Sequence, residues 1–170
     1  MNVDQRTTRL PAGESDQPDS FPRRAVQRLT RSPGALKSPV ARWAINVLAV
    51  VGAGLMVWSG VIHLQLWSEG YRSIAVIGPL FLVQGIASIA LALALVVLRR
   101  VFLLVAGAVL MVGTAVGLLL SVTVGLFGYQ ESLAVTDAAT SLTLEFIGAA
   151  LLAGAAAVLA AGPQSRLARH

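Results

Sequence analysis

The sequence predicts an all-α membrane protein, an up-down bundle of four antiparallel transmembrane helices behind a disordered basic N-terminal tail. Three observations carry this prediction. Apolar residues make up 56% of the 170 positions and charged residues only 12%, whereas soluble domains average about 25% charged. The apolar residues are gathered into four long stretches. The basic residues between those stretches alternate in number, rich and poor.

The stretches come first. No Asp, Glu, Lys or Arg occurs from Trp43 to Ser68, from Ile74 to Leu98 or from Val101 to Tyr129, and Leu142 to Ala161 is interrupted only by Glu145. About 20 apolar residues suffice to cross the hydrocarbon layer of a bilayer. The domain plan that follows is a cytoplasmic tail over 1–40, a transmembrane domain over 41–163 and a short basic tail over 164–170. The helices are expected at about 43–67, 74–98, 101–127 and 138–161.

Orientation follows from charge. Of the 13 Lys and Arg residues, eight lie in residues 1–42, two at Arg99 and Arg100, two at Arg166 and Arg169, and only Arg72 falls on the other side of a four-span chain. Cytoplasmic loops carry the excess of Lys and Arg, so a multi-pass cell-membrane protein with both termini cytoplasmic is expected. The net charge of +5 is therefore a topology signal, with attraction to anionic headgroups as a consequence. No nucleic-acid motif accompanies it. There is no cysteine, which excludes disulfides and Cys-ligated zinc or iron–sulfur centres. The excess of Arg over Lys, with Ala, Val, Leu and Gly in the spans, is the bias of a GC-rich bacterial genome.

Each segment has its own signals. Residues 1–40 hold five of the seven prolines and no apolar run, a composition that does not bury enough surface to fold alone. Within them RRAVQRLTR, Arg23 to Arg31, has the pattern of a short basic helix lying on a membrane surface. About forty polar residues precede the first full-length apolar run, so no cleavable signal is expected there. Trp43 and Trp67 bracket the first span at headgroup depth. The second span starts either at Ile74 or at Pro79, because proline suits a first helical turn. Arg99 and Arg100 make a tight turn into the third span, and the loop from about Gly128 to Ser141 is the only one with room to fold over a site.

Small residues are expected to pack the helices, since apolar drive is absent within lipid. Gly113, Gly117, Ser121 and Gly125 recur every four residues, as do Ala149, Ala153, Ala157 and Ala161 below Glu145. The two stripes are expected to meet each other or a membrane partner. Gln84 and Ser88, also four apart, read as polar glue between helices.

Ionisable residues inside a span are functional candidates, and here they are His63 and Glu145. The topology places both near the outer leaflet, with Glu69, Tyr71, Arg72 and Asp137 in the same third of the molecule. Such a cluster has the chemistry to relay a proton or to grip the polar end of a lipid or quinone. The competing reading is a structural one, with both groups reaching toward the nearby interface. One histidine with scattered carboxylates does not define a metal. A bis-histidine haem within one chain is excluded, because His170 lies at the opposite face. No nucleotide, zinc-protease or serine-hydrolase motif is present, and no catalytic residue or cofactor is assigned.

The segment from His63 to Gln84, HLQLWSEGYRSIAVIGPLFLVQ, resembles a pattern of small four-helix membrane proteins of high-GC Gram-positive bacteria. The matching positions are His63, Leu66, Trp67, Gly70, Tyr71, Ile74, Ile77, Gly78, Leu80, Phe81 and Leu82. Ser121 to Glu131 and the late Glu145 fit the same pattern. The resemblance implies a class and no activity, and a likeness to DoxX-type proteins rests on helix count alone.

Three functions follow as expectations. The first is a non-catalytic accessory or assembly subunit of a membrane complex, its partner in the lipid bilayer a membrane protein or further copies of the chain. The second is a binder of a lipid, quinone or small ligand at His63 and Glu145. The third is a small proton-coupled transporter acting as a dimer. The topology has a direct test: a reporter fused after His170 is expected to be active only in the cytoplasm, and an extracytoplasmic reporter would overturn the orientation.

Overall fold

The computed structural model describes residues 21–130, 132 and 136–161. Among them the chain is helical, with α1 (Phe21–Leu29), α2 (Pro39–Glu69), α3 (Ile77–Leu98), α4 (Val101–Thr123) and α5 (Thr136–Ala161). Short 3-10 turns occupy Pro33–Ala35 and Tyr71–Ser73. The helices α2 to α5 are each long and apolar enough to cross a bilayer. With 31 residues, α2 is about 46 Å long at 1.5 Å per residue, well beyond the hydrocarbon thickness of about 30 Å.

Local chemistry sets the boundaries. Ser38 caps α2 by accepting the Ala41 N–H at 3.3 Å, and Pro39 takes the first helical position. Gly70, at φ 155°, ends it and returns its own N–H to Leu66. The third helix begins at Ile77, between the two expected starts, so Pro79 is its third residue. That position still lies among the first four residues, whose N–H groups have no intrahelical acceptor. The fourth helix stops at Thr123 rather than near residue 127. Gly125, Phe127 and Gly128 have φ of 79°, 50° and 80°, and a left-handed backbone does not continue an α-helix. Leu126 and Tyr129 then exchange backbone hydrogen bonds at 2.7 and 2.9 Å across that loop.

The segment before α2, expected as part of a disordered tail, is folded from Phe21 onward. Its contacts give the reason. The Val101 N–H donates to the Arg31 carbonyl at 3.1 Å, and the Arg100 guanidinium donates to the Thr30 carbonyl at 2.7 Å. Arg31 donates to the Ala160 carbonyl in the last turn of α5, where a helix has carbonyls to satisfy. Leu36 is buried in the core. Residues 1–20, Glu131 and residues 162–170 lie outside the described residues.

Helix α2 is the hub. It packs along α3 and α5, and α4 packs mainly on α5, while α3 and α4 touch only thinly. Met56, Leu95, Leu104, Met111, Leu152 and Leu159 are fully buried among these helices.

The close approaches use other small residues than the two expected stripes. A β-carbon added at Gly60 would lie 2.9 Å from the Gly85 carbonyl oxygen, and one at Gly85 would lie 2.6 Å from Leu64 Cγ. Gly52 abuts Leu152, and Gly148 abuts Met111. In contrast, added β-carbons at Gly113 and Gly117 would meet nothing within 4 Å. Ala149 is buried but Ala153 and Ala157 are exposed, because the inward face of α5 runs through Glu145, Leu152, Ala156 and Leu159 instead. A helix turning 100° per residue cannot keep a strict four-residue stripe inward over four turns.

Gly85→Ala is therefore expected to cost about 1–3 kcal/mol through overpacking, whereas Gly113→Ala is expected to leave stability unchanged. Thermal unfolding of the two variants in one detergent checks this, and equal stabilities would contradict the packing.

Candidate functional site

Where α3 and α4 separate, a cavity of about 400 Å³ opens between them. Its walls are largely apolar. Leu80 and Phe81 come from α3; Leu110, Gly113, Gly117 and Leu118 come from α4. Polar groups reach it from several elements: His63 on α2, Gln84 on α3, Thr114 and Ser121 on α4, and Ser141 on α5. Tyr71 and Tyr129 close the end away from the arginine turn. Gly113 and Gly117 thus form a smooth cavity wall, not a helix contact.

His63 is held by its own helix. Its Nδ1 lies 2.8 Å from the Ser59 carbonyl oxygen, one turn earlier. A carbonyl only accepts, so Nδ1 carries the proton and donates. The other ring nitrogen, Nε2, makes no hydrogen bond among the described residues.

An aromatic series continues from this ring. The His63 and Phe81 centroids are 5.0 Å apart, Tyr71 stacks on Phe81 at 4.8 Å, and Tyr129 meets Tyr71 edge-on at 5.6 Å. The Tyr129 hydroxyl donates to the Tyr71 hydroxyl at 3.0 Å, tying the loop after α4 to the turn before α3. That turn is tightly built. A β-carbon at Gly78 would lie 2.8 Å from both the Tyr71 and Arg72 carbonyl oxygens, so only glycine lets the turn close over α3.

Glu145 is completely buried, at 0% exposure, and is not a lining residue of the cavity. Its Oε1 accepts from the Ser141 hydroxyl at 3.1 Å and, more weakly, from the Ser59 hydroxyl at 3.4 Å. Its Oε2 is buried with no hydrogen-bond partner. Ser59 is the link between the two ionisable residues: its hydroxyl serves Glu145 and its carbonyl serves His63.

The sequence-derived candidates therefore divide. His63, Tyr71 and Ser121 line the cavity, and Glu145 stands behind it in contact with the lining residue Ser141. Glu69 and Arg72 are exposed and lie outside it. Asp137 belongs to the first turn of α5, but its side chain is outside the described residues. Gln84 donates to Ser88 at 3.1 Å along α3 itself, so the pair does not bridge helices. Ser59, Ser141, Phe81, Thr114 and Tyr129 were not foreseen. A signal existed for the serines, since each precedes its ionisable partner by four residues, one helical turn. Among the described residues no three His, Asp or Glu side chains converge to hold a metal.

In comparisons with known proteins, no family matches this chain, and no curated protein or solved structure is similar to it. The resemblance of the His63 to Gln84 segment rests on its residues alone.

The Ser59–Glu145–Ser141 cluster makes a definite prediction. Glu145→Gln keeps the Oε1-like acceptor for both hydroxyls and is expected to fold and melt like the parent. Glu145→Ala strands two buried hydroxyls and opens a void, with an expected loss of about 2–4 kcal/mol. Chemical or thermal unfolding in detergent reads the difference, and an unharmed Glu145→Ala would remove the cluster from the stability account.

Proposed function

We propose that this chain is a multi-pass cell-membrane protein with antiparallel helices and cytoplasmic termini, and that it binds one lipid-like molecule between α3 and α4. The observation that carries the reading is the cavity itself. About 400 Å³ falls within the range of small-molecule sites, which are mostly apolar with a few placed polar groups. Leu80 and Val109, both lining residues, are 46% and 65% exposed, so the cavity opens sideways where α2 to α5 would face lipid. An apolar chain entering from the bilayer needs no passage through water.

Polarity supports an oriented ligand. The end of the cavity near His63 offers the imidazole, the Ser141 hydroxyl and the two tyrosines, while its flanks are Leu, Val and Gly. A molecule with a hydrogen-bonding head and an aliphatic tail, such as a quinone or a lipid with a small head, matches that gradient. The orientation is supported by the charges: Arg31, Arg99 and Arg100 lie at one end of the bundle, and Arg72 lies beside the tyrosine turn at the other. This side of the cavity then faces the outer leaflet. The role proposed for α1 is to lie on the inner surface, since Val26 and Leu29 remain exposed beside Arg28.

A second reading, the accessory subunit, is favoured by one feature. Ala150, Ala153, Gly154 and Ala157 form an exposed small-residue face on α5, and a β-carbon at Gly154 would meet nothing within 4 Å. Small faces of this kind suit another helix. A partner there would not cover the α3–α4 opening.

Gly117→Leu distinguishes the two readings, because a β-carbon there meets nothing within 4 Å and the rest of the side chain would fill the cavity that Gly117 lines. Protein purified gently from membranes is expected to carry a lipid or quinone detectable by native mass spectrometry. Gly117→Leu and His63→Ala are expected to lose it while remaining folded. Equal retention by all three proteins would refute the cavity as the binding site. A stoichiometric protein partner lost on Ala153→Leu would instead support the accessory role.

A further inference from the structure

A second recess lies at the opposite end of the bundle, where the chain before α2 meets the turn between α3 and α4. It measures about 470 Å³ and is lined by Arg42, Arg99 and Arg100, with Asn46 and the Ser32–Gly34 backbone completing it. Three guanidinium groups around one concavity repel one another unless an anion lies between them. Among the described residues no acidic residue lines the recess. The acidic side chains described elsewhere, Glu69 and Glu145, belong to the other half of α2 and to the Ser59 cluster. Four of the eight acidic residues fall in residues 1–20, outside the described residues.

The three arginines are engaged to different degrees. Arg100 donates to the Thr30 carbonyl at 2.7 Å, and Arg99 Nε donates to the Val96 carbonyl at 3.2 Å. The Arg42 guanidinium has no hydrogen-bond or ion-pair partner among the described residues. Two arginines are thus held in place by backbone oxygens, and the third, Arg42, lines the concavity. At the floor, Asn46 Oδ1 is buried with no partner, an acceptor suited to a hydroxyl.

The surroundings select the kind of anion. Val97 and Leu98, beside the arginines, are 77% and 53% exposed, and Trp43, next to Arg42, is exposed as well. Tryptophan marks headgroup depth, and the two exposed aliphatic residues also line the recess. Guanidinium forks match phosphate oxygens two at a time.

We propose that this recess binds the phosphate of an anionic phospholipid from the inner leaflet, with a headgroup hydroxyl placed to reach Asn46. The site rests on the membrane orientation proposed above but not on the α3–α4 ligand. It is separate from the diffuse attraction of a basic tail, because among the described residues Arg42 is the one N-terminal cation that lines the recess.

The test uses the full chain in nanodiscs of phosphatidylcholine, with phosphatidylglycerol added in steps, and counts retained lipid by native mass spectrometry. Arg42→Gln is compared with Lys37→Gln, which removes the same charge from an exposed neighbour outside the recess. Both leave the orientation bias intact, since each variant keeps seven of the eight basic residues in residues 1–42. Arg42→Gln is expected to weaken phosphatidylglycerol retention at least about tenfold, the scale of one lost charge-assisted hydrogen bond, and Lys37→Gln to leave it unchanged. Arg42→Lys, which keeps the charge and loses the fork, is expected to fall between them. Equal losses from Arg42→Gln and Lys37→Gln, or none from either, would overturn the site. A separate arm titrates inorganic phosphate into phosphatidylcholine nanodiscs, and saturable binding there as strong as that of the lipid would overturn the lipid assignment. His63→Ala is expected to leave this site untouched, so failure at the cavity and failure here are distinguishable.

Discussion

Inside a bilayer, lipid tails are as apolar as the helices, so helix pairs are held by close backbone approach and by polar contacts. In this chain both devices converge on α2. The Gly60–Gly85 approach brings the α3 backbone against α2, and Ser59, on the adjoining position, reaches Glu145 of α5. One turn of α2 therefore holds two of the three other long helices. The fourth, α4, is held largely through α5, where Met111 sits on Gly148 and Leu152 on Gly107. With both neighbours drawn to α2, α3 and α4 are left with a thin contact. The cavity is the geometric consequence.

The same turn of α2 prepares the cavity's polar end. Ser59 directs its hydroxyl to Glu145 and its carbonyl to His63, so the buried carboxyl shares a residue with the imidazole that lines the cavity. Glu145 itself is fully buried and is not among the residues that line the cavity. Its unpartnered Oε2 marks the one polar atom of the cluster that the protein leaves unsatisfied. A buried polar network with an open position is a place where stability is given up.

Much of this was legible from residue patterns. The four apolar stretches located the long helices, because span length is dictated by bilayer thickness and leaves little freedom. The convergence of His63 and Glu145 in one region followed from topology, since alternate helices must return to the same side. The packing face was not legible. Gly113 and Gly117 have the spacing of a helix contact but meet no other helix among the described residues, while Gly60 and Gly85 meet across helices without any repeat in the chain. Which glycines meet depends on the rotation of each helix about its axis, and four helices of nearly uniform hydropathy carry no moment to set that rotation. The folded strap from Phe21 to Ser38 was hidden for a different reason. Its order comes from long-range contacts of Arg31, Arg100 and Leu36, which a proline-rich local composition does not reveal.

The cavity exists only if α3 and α4 stand apart at Gly113. The chain contains no cysteine, so Gly113→Cys gives a unique site for a nitroxide label. Power-saturation spectroscopy in liposomes then reports whether lipid-soluble oxygen or a water-soluble nickel chelate reaches it. The account predicts strong oxygen access and weak chelate access, with oxygen access falling when a quinone is added to the liposomes. A label shielded from oxygen before any addition would show α3 and α4 packed together and would contradict the account.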